Sequence, residues 1–585
     1  MWVAIGWMTC ACGGSSPPLQ GEPGAEDSDP PGTWRSALYP RGWLPPALGG
    51  SADGEGRFLA DYSYAGYRRG DSAPPIGVAP AAEVVVAPGG GVDATPLIQS
   101  ALDRACAAGG GVVELAAGVF RIRLPSPEAE AAIQLRCSNL VLRGAGPGRT
   151  RIVFVDPRRV REKDVIRVGK GSGWIWRDLA GSALPLAEDA PSGSQRVVLT
   201  QPPALAPGDL VLVRNEIGEA FRAEHRMDAA AVSADDGERG NDARWEIAGG
   251  IIYLRRVVSV QGNALEFDAP IRYPLKVRDA ARIAKPAQEV VTEVGLESFS
   301  IGMLENLQPE TQPSSDDDFG LPGTRGYEVH ASSAIRITGA VDGWIHDVDS
   351  FRPGGNTTPV HVLSHGMTFS RDSTRFTLSD CDWAAPQYRG GGGNGYLFHV
   401  QGSDHLVLGG SARAARHGLI FQYLASGVVV SGLRIFESRY ADDSHTILTH
   451  QNLVEGVELN GAWLQSVNRG ATSSGAGFTG TQNVFWATRV LQNHPSAEGC
   501  AVESAQWEHG FLIGSMRAEG AAPGTQALLC PRSFSDSYWA GLDAGAPMDW
   551  VEGQDIGATL FPPSLYRHQL AARCAREGLQ CPVWP

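Results

Sequence analysis

The stretch that decides the fold runs from Gly91 to Val155. It begins GVDATPLIQSALDRACAAGGGVVELAAGVFRI and continues, after a short gap, as CSNLVLRGAGPGRTRIVFV. The first part predicts a helix, because Thr95 is a favourable N-cap, Pro96 stands at the first helical position and Gly109 can end the helix. After the glycine, the apolar residues take the spacing of short strands. A capped helix before closely spaced strands predicts a lid over a stacked β-structure, whose apolar end must be covered.

The same residues carry a family resemblance. The run D-x-T-x-x-I-Q-x-A-L-D from Asp93, the A-A-G-G-G-V-V-x-L that follows it, and S-N-L-V-L-R-G-x-G from Ser138 resemble the start of pectate-lyase-superfamily proteins. The resemblance implies an all-β chain, a right-handed parallel β-helix (a solenoid) with an N-terminal capping helix. It also implies that the protein acts on an acidic polysaccharide. The cap and first coils carry no chemistry in that family, so the reaction must be inferred from residues further along.

Composition agrees with a solenoid and restricts the partners. A chain of 585 residues is long for one globular core, whereas a solenoid lengthens by adding coils. The formal net charge of −15 argues against nucleic acid as a partner, because phosphate binding needs clustered Lys and Arg. A local basic groove can still bind an acidic polymer. We therefore expect a polysaccharide substrate, with the oligomeric state left open.

The N-terminus predicts export. MWVAIGWMTCACGG is apolar but short, and Thr9–Gly14 resembles a bacterial lipobox in which Cys12 is the residue to be lipidated. We therefore expect a lipoprotein of the outer membrane or cell surface, or a periplasmic or secreted protein, whose membrane attachment is the lipid anchor alone. No later stretch is apolar over the length of about 18 residues that a membrane-spanning helix requires.

The nine cysteines fit an oxidising compartment. Their spacings are compatible with three disulfides, the first of which would tie the cap helix to the first coils: Cys106–Cys137, Cys500–Cys530 and Cys574–Cys581. Free buried thiols are the alternative for Cys106 and Cys381.

Shifts in composition divide the chain. Residues 169–290 break the rhythm of the coils and read as hairpins of a small inserted β-subdomain. Residues 13–75, rich in Gly, Pro and Ser, read as a flexible linker and N-terminal extension, within which WRSALYPRGWLPP can pack against the body. The other segments are a possible lipoprotein signal, the cap helix with the first coils, the main β-helix coils and a C-terminal cap or tail, over residues 1–12, 76–168, 291–531 and 532–585.

Four central coils can be laid over one another. The segments in register are HGMTF from His365, NGYLF from Asn394, HGLIF from His417 and HTILT from His445. Because parallel strands stack about 4.8 Å apart, this register predicts two ladders of polar residues. Histidine is suited to proton transfer near neutral pH, so we predict an active face here, although a structural role is the alternative for any single histidine. The ladders are His365, Asn394, His417 and His445, and then Ser370, His399, Gln422 and His450.

Further polar residues precede these strands and should gather beside one another, because their coils are consecutive. The expected catalytic residues are His365, His399, Arg416, His417, Tyr440, Asp442, Asp443, His445 and His450. The expected substrate-binding residues are Tyr388, Arg389, Asn394, Arg413, Gln422, Glu437 and Arg439.

These residue types fit β-elimination of a uronic-acid glycan. That reaction needs a neutralised carboxylate, a base for the C5 proton and an acid for the leaving oxygen. Arg416 with His417, Tyr440, and His445 with His450 can fill the three roles without a metal, so no cofactor is required. Calcium is the alternative, although no calcium-loop motif is present, and its oxygen ligands would be Asp380, Asp382, Asp442 and Asp443.

Two other functions stay open beside the polysaccharide lyase that we expect. A β-helix glycoside hydrolase or epimerase would use paired carboxylates, with Asp442 and Asp443 facing Asp380 or Asp382. The chain departs from the polygalacturonase hydrolases, since its Ser-His-Gly at His365 precedes the acidic pair and no R-I-K follows. The third possibility is a non-catalytic glycan-binding β-helix, such as an adhesin or a tailspike-like module.

Overall fold

The computed structural model describes residues 29–50, 52–170, 174–225, 227, 249–308, 318–469, 476–531, 549–580 and 582. Cys12, the predicted site of lipidation, and Cys581, of the predicted Cys574–Cys581 disulfide, lie outside these ranges. The described α-helices are α1 (Thr95–Ala107), α2 (Glu219–Glu224), α3 (Arg325–Val329) and α4 (Leu565–Glu577). Short 3-10 helices lie at Pro46–Leu48, Tyr67–Gly70, Val277–Asp279, Asp318–Gly320, Pro495–Ala497 and Gly557–Thr559.

Helix α1 opens the coils as predicted, with one difference at its start. Thr95 is the first helical residue rather than the cap. The backbone N of Thr95 donates a hydrogen bond to Asp93 Oδ1 at 3.0 Å. One strand, β1 (Ala81–Val85), precedes α1. The other strands of the first coils follow the helix: β2 (Gly111–Leu115), β3 (Gly118–Ile122), β4 (Ala131–Leu135), β5 (Leu140–Arg143), β6 (Thr150–Phe154) and β7 (Asp164–Val168).

Two of the predicted disulfides are present. Cys106–Cys137 ties α1 to the first coils, so the free-thiol alternative for Cys106 is wrong, and Cys500–Cys530 joins two neighbouring coils. Cys381 is a buried free thiol.

A small antiparallel subdomain interrupts the coils. Its six strands are β8 (Leu184–Pro185), β9 (Arg196–Val198), β10 (Leu210–Arg214), β11 (Ile252–Gln261), β12 (Ala264–Phe267) and β13 (Arg282–Ala284). Its apolar core continues into the coils through residues such as Leu424, Ile447 and Phe478. The subdomain is therefore packed onto the β-helix through a shared core.

The remaining coils follow the inserted subdomain. Their strands are β14 (Val291–Thr292), β15 (Gly295–Met303), β16 (Ser333–Ile337), β17 (Ala340–Ser350), β18 (His365–Phe369), β19 (Ser373–Ser379), β20 (Asp382–Ala384), β21 (Tyr396–Val400), β22 (Leu406–Leu408), β23 (Ser411–Arg413), β24 (His417–Gln422), β25 (Val429–Ser431), β26 (Arg434–Phe436), β27 (Asp442–Thr446), β28 (Thr449–His450), β29 (Leu453–Glu455), β30 (Glu458–Asn460), β31 (Leu464–Ser466), β32 (Gly480–Thr481), β33 (Val484–Gln492), β34 (Cys500–Ser504), β35 (Phe511–Arg517), β36 (Leu528–Pro531) and β37 (Trp550–Glu552).

Two parallel sheets wrap one apolar interior. One sheet of ten strands, here called the groove sheet, has the order β36-β34-β31-β27-β24-β21-β18-β16-β7-β4, and a sheet of 19 strands forms the other faces. Neighbours within the groove sheet come from successive coils and pair in parallel. The predicted parallel β-helix with a capping helix and an inserted β-subdomain is thereby confirmed.

The register within the groove sheet differs from the predicted ladders by two residues at β21 and by four to five residues at β27, where Ile420 pairs with Asp443 and Gln422 with Thr446. Tyr396, not Asn394, is the partner of His417, and His399 pairs with Thr368 and Ile420 rather than with Ser370 and Gln422. Asn394 belongs to the turn before β21, where its side chain bonds to neighbouring turns. The aligned strands are apolar at nearly every position, so their pattern alone could not determine the register.

Asp442 lies in the interior of the coil, which corrects its prediction as a catalytic residue. It continues an inward row in which the neighbouring coils place Met367, Phe398, Leu419 and Leu464. Its carboxylate accepts hydrogen bonds from the backbone N of Leu419 and from the hydroxyl of Ser438, each at 2.9 Å. Burial raises the pKa of Asp442 to about 7.

Both ends of the described chain pack along one side of the coils. Leu59 and Tyr62 are fully buried against α4 and against coil residues that include Trp486, so this part of the predicted flexible linker is ordered structure. Helix α4 lies beside the coils in the same apolar cluster, whereas a cap or tail was predicted for its segment. None of the described helices combines the length and apolar character needed to cross a bilayer.

One buried arginine joins the two ends. Arg573 of α4 donates to Asp71 at 2.7 Å and to the backbone oxygens of Ser63 and Arg69 at 3.0 and 2.7 Å. We expect Arg573→Met to leave the two backbone oxygens without this donor and Asp71 with Arg69 alone, and so to loosen residues 59–71 at a cost of about 3 kcal/mol. Limited trypsin digestion should then cut near Arg68 faster while the coils stay intact. The exposed Arg576→Met is the control, and equal cutting in both variants would contradict this role.

The buried carboxyl of Asp442 predicts an unusual pH dependence of stability. Between about pH 4 and pH 7 the folded protein holds a proton that the unfolded chain releases, so the free energy of unfolding falls as pH rises through this window. Asp442→Asn has no proton to lose. We expect its free energy of unfolding in urea to equal that of the native protein at pH 4.5. At pH 8.5 we expect it to be higher by up to about 4 kcal/mol.

A pH-independent change serves as the control for this measurement. Leu464→Val, on the same inward row, should lower the free energy of unfolding by about the same amount at pH 4.5 and at pH 8.5. A loss of stability for Asp442→Asn at pH 8.5 would show that the carboxylate is ionised and stabilising.

Candidate functional site

A groove of about 1250 Å³ lies over the groove sheet in the central coils. Its floor comes from β18, β21, β24 and β27, and its walls come from the turns before and after these strands. The described lining residues are Arg161, Glu162, Trp174, Phe319, His330, Ala331, Arg336, His365, Gly391, Gly392, Gly393, Tyr396, His399, Gln401, Arg416, His417, Gln422, Tyr423, Tyr440, Ala441, His445, Trp463, Gln465 and Arg469.

The groove is basic although the chain as a whole is acidic. Four arginines line it, and among its described lining residues Glu162 is the sole carboxylate. Arg161 and Arg336 lie at one end, whereas Arg416 and Arg469 lie three or more coils further on. Carboxylates behind the lining offset part of this charge, since Arg336 pairs with Asp164 and Arg469 pairs with Asp443. The positive charge that remains is suited to a polyanion.

Tyr396 is at the centre of the floor. Its ring centroid lies 5.1 Å from the rings of His365, His399 and His417, and 6.2 Å from that of His445. Its hydroxyl is buried and has no hydrogen-bond partner. Burial raises the pKa of Tyr396, so the phenol keeps its proton at neutral pH and can donate it.

Asp443 orients two imidazoles beside this tyrosine. Its carboxylate is fully buried, 3.2 Å from His445 Nδ1 and 3.6 Å from His417 Nδ1, and it also pairs with Arg469. Burial alone would raise the pKa of Asp443, but Arg469, His417 and His445 together hold it well below its usual range. The carboxylate is therefore ionised and accepts hydrogen bonds only.

The hydrogen-bond partners assign the tautomers of both imidazoles. His445 Nδ1 faces the Asp443 carboxylate and must carry a proton, which leaves the lone pair of the neutral ring on Nε2. His417 Nδ1 donates to the carbonyl oxygen of Ala441, so its lone pair is also on Nε2, which has no hydrogen-bond partner. Burial lowers the pKa of His417 to about 3, which keeps this ring neutral.

The other half of the floor is neutral. His399 Nε2 lies 2.7 Å from Gln422 Oε1 and 3.0 Å from Gln401 Nε2, and burial lowers the pKa of His399 to about 3. Trp174 and Tyr423 close this end, with ring centroids 5.1 Å apart. Amides, a neutral imidazole and aromatic faces are suited to the hydroxyl groups and apolar faces of sugar rings.

Several predicted residues do meet in the groove. Seven of them line it: His365, His399, Arg416, His417, Gln422, Tyr440 and His445. Asp443 lies directly behind His417 and His445. Their catalytic and binding roles remain predictions.

Three other predicted residues are built into the fold. Asn394 Oδ1 accepts from Ala331 N at 2.8 Å and its Nδ2 donates to His330 at 2.9 Å, so its amide is already used. Tyr388 belongs to the apolar interior. His450 lies under the inserted subdomain, where its Nε2 is 2.7 Å from the hydroxyl of Tyr253. A substrate in the groove cannot contact these side chains without displacing the packing.

Charged residues predicted to bind substrate lie at the outer rim. The backbone oxygen of Arg389 accepts from Arg416 at 3.2 Å and from Arg439 at 2.8 Å, and both guanidinium groups lie against the ring of Tyr440. Arg413 pairs loosely with Glu437 at 3.7 Å on the exposed turn.

The calcium alternative does not fit the arrangement. Asp380 and Asp382 belong to the 19-stranded face, where their side chains are 61% and 54% exposed. Within the described residues, the one group of three candidate metal ligands is His417, Asp443 and His445, with ligand atoms within 4.8 Å of one another. Calcium prefers six to eight oxygen ligands, whereas this group offers two nitrogens and a carboxylate already paired with Arg469.

Sequence reasoning missed residues that the structure places in the groove. Tyr396 is the third residue of the aligned segment NGYLF. A shift of that segment by two residues would have placed Tyr396, instead of Asn394, in the ladder with His365 and His417. Arg336 is the single charged residue of the apolar strand SAIRI, which was a usable signal. His330, Arg469, Trp174 and Trp463 come from turns of differing length, so no spacing rule could have placed them.

Comparisons with known proteins add a likeness of overall shape. No family model and no curated protein matches the chain. A tailspike of an Acinetobacter baumannii bacteriophage, solved with a capsular saccharide, is 11% identical over 74% of this chain and 65% of the tailspike, with a TM-score of 0.35. An alginate lyase from a Paenibacillus species is 9% identical over 77% of this chain and 98% of the lyase, with a TM-score of 0.37.

A third similar structure is the A-module of a mannuronan C-5 epimerase from Azotobacter vinelandii. It is 14% identical over 76% of this chain and 95% of the module, with a TM-score of 0.25. The chain thus spans just under two thirds of the tailspike's length and nearly all of the other two. The parallel β-helix itself is established by the strand pairing described above.

Proposed function

We propose that this protein is a polysaccharide lyase that cleaves a uronic-acid-containing glycan by β-elimination in the central groove. The observation that carries the proposal is the cluster of proton-transfer groups on the floor. A protonated phenol, Tyr396, lies beside His399 and His417, which burial keeps neutral, and beside His445, which an ionised carboxylate orients.

His445 is the proposed base. Asp443 holds its Nδ1 proton, so the Nε2 lone pair removes the proton from C5 of the uronate, and Asp443 stabilises the imidazolium that forms. The electrons of the C5–H bond become the C4=C5 double bond, and the C4–O glycosidic bond breaks. The neutral His417, with its lone pair on Nε2, can accept a hydrogen bond from a sugar hydroxyl beside it.

Tyr396 is the proposed acid. Burial raises its pKa, so the phenol carries the proton that the departing glycosidic oxygen needs. Tyr440, which the sequence predicted as catalytic without fixing its role, fits the role of acid less well, because it lies at the exposed rim between two arginines.

The arginines are proposed to neutralise the uronate carboxylate. Proton removal from C5 becomes easier when that carboxylate is hydrogen-bonded to a cation, because negative charge develops next to it. Arg416 is placed for this, since it lines the same end of the groove as His417 and His445. Arg469 contributes positive charge but is already paired with Asp443.

Hydrolysis is less well supported by the same geometry. It requires two carboxyl groups about 5 to 9 Å apart across the bond. Of the predicted carboxylates, Asp442 points inward, Asp443 is covered by imidazoles, and Asp380 and Asp382 lie on another face. Glu162 alone among the described lining residues offers a carboxylate to the groove.

The reaction can be tested directly with a panel of uronic-acid polymers. We expect ultraviolet absorbance to rise together with reducing ends, because elimination leaves a C4=C5 double bond conjugated with the carboxylate. Reducing ends without that absorbance would indicate hydrolysis. Binding without any product would indicate the non-catalytic function.

Two pairs of variants test the assigned roles. Tyr396→Phe removes a hydroxyl that has no partner, so activity should fall by about 10²–10⁴-fold while the melting temperature does not fall. Tyr62→Phe removes another buried, unpartnered hydroxyl, far from the groove, and should leave activity unchanged. Full activity in Tyr396→Phe would remove the phenol from the mechanism.

The two adjacent aspartates form the second pair. Asp443→Asn leaves His445 without a carboxylate to orient its Nδ1 proton, so activity should fall by at least about 10²-fold. The inward-pointing Asp442→Asn should keep its activity. The reverse result would reassign the functional carboxylate.

A further inference from the structure

Arg371 is a buried cation without a described ion-pair partner. It lies in the turn between β18 and β19 and is 8% exposed. Its NH2 group donates to the carbonyl oxygen of Gly250 at 2.7 Å, whereas NH1 is buried and has no hydrogen-bond partner. The adjacent Asp372 directs both carboxylate oxygens to the hydroxyl of Thr338, each at 2.9 Å. An unpaired buried charge is unfavourable unless something compensates it.

Two more unused donors lie beside it, on the inserted subdomain. Arg214 NH2 donates to the carbonyl oxygen of Gly249 at 2.6 Å, and Asn215 Oδ1 accepts from the backbone N of Ile251 at 3.1 Å. Arg214 Nε and Asn215 Nδ2 are buried without partners. Because the three side chains bind the consecutive residues 249, 250 and 251, their unused N–H groups are confined to one small region.

Arg371 is the guanidinium group of this region without a described ion pair. Asp178 accepts from Arg214 and from Arg282, each at 2.9 Å, and the exposed Glu216 pairs with Arg282 at 3.1 Å. The carboxyl group next to Arg371 is that of Asp372, and burial raises its pKa to about 7. Burial and the nearby Arg214 lower the pKa of Arg371 to about 9, which still leaves it charged at neutral pH. Unused N–H donors around a guanidinium group without an ion pair are matched by an anion rather than by a cation or an apolar group.

The region also adjoins the groove. The guanidinium carbon of Arg371 lies 5.9 Å from the ring centroid of Trp174, and Trp174 and Tyr423 close the neutral end of the groove. Trp174 thus lies against the Arg371 guanidinium and also lines the groove.

We propose that Arg371, Arg214 and Asn215 form a buried binding site for one small monovalent anion, a halide or a carboxylate, between the inserted subdomain and the coils. The anion neutralises Arg371 and holds the subdomain against the turn that carries it. Its source is either a halide from solvent or a carboxylate of a glycan that passes Trp174. This site does not depend on the proposed lyase reaction.

Thermal unfolding in sodium bromide tests the site. Sodium methanesulfonate is replaced stepwise by sodium bromide at constant ionic strength. We expect the melting temperature of the native protein to rise with bromide concentration by about 1–3 °C and then to level off. Arg371→Met removes the unpaired charge, so this variant should lose the bromide response without being less stable than the native protein in methanesulfonate. Arg282→Gln, which removes a fully paired guanidinium from the same network, should keep the response.

Uronate oligosaccharides in bromide-free buffer identify the source. A rise in melting temperature that needs Arg371 and competes with bromide assigns the site to a glycan carboxylate, and a response to bromide alone assigns it to a solvent halide. No response to either in the native protein, or an equal response in Arg371→Met, would overturn the proposal. If Arg371→Met does not fold, anomalous scattering from native crystals in bromide decides: a peak at Arg371 NH1 supports the site, and its absence there refutes it.

Discussion

Parallel pairing between successive coils is the constraint on which the rest of this structure depends. Each strand of the groove sheet lies about 4.8 Å from the next, so residues separated by a whole coil in sequence become neighbours in space. Tyr396 is brought beside His417 in this way, and Asp443 beside Gln465. Every distance within the groove follows from that register, and a slip of one residue would turn each polar side chain into the apolar interior.

The fold could be predicted from local signals, whereas the detailed site could not. The helix after Asp93, the glycines that follow it and the short strands predict a capped, stacked β-structure, because each signal acts within a few residues. The resemblance carried by the same residues implies the parallel β-helix. The groove depends on the lengths of the turns between strands, and these vary from coil to coil. Asn394 illustrates the difficulty: it matched the histidines as a polar residue before a glycine, but its amide is used within a turn.

Burial is a second reason why the sequence could not predict the site in detail. Asp442 and Asp443 are adjacent and chemically identical in the sequence, yet burial raises the pKa of Asp442, while Arg469 and two imidazoles lower that of Asp443 against the same burial. Successive residues of a strand point to opposite faces, so Asp442 enters the interior and Asp443 lies on the groove side, behind His417 and His445. Which of the two enters the interior depends on the register, and that was not available from the pattern of apolar residues.

The packing of both ends of the described chain along one side of the coils has a consequence for the order in which the coils unfold. A solenoid whose repeats contact their neighbours alone can fray coil by coil from either end. Here the segment around Tyr62 and helix α4 pack against strands from Leu406 to Ile513, and the inserted subdomain packs against Leu424, Ile447 and Phe478. These contacts bridge several coils at once, so the central coils should open as one cooperative unit. The groove is thereby placed in the part of the rod that opens last.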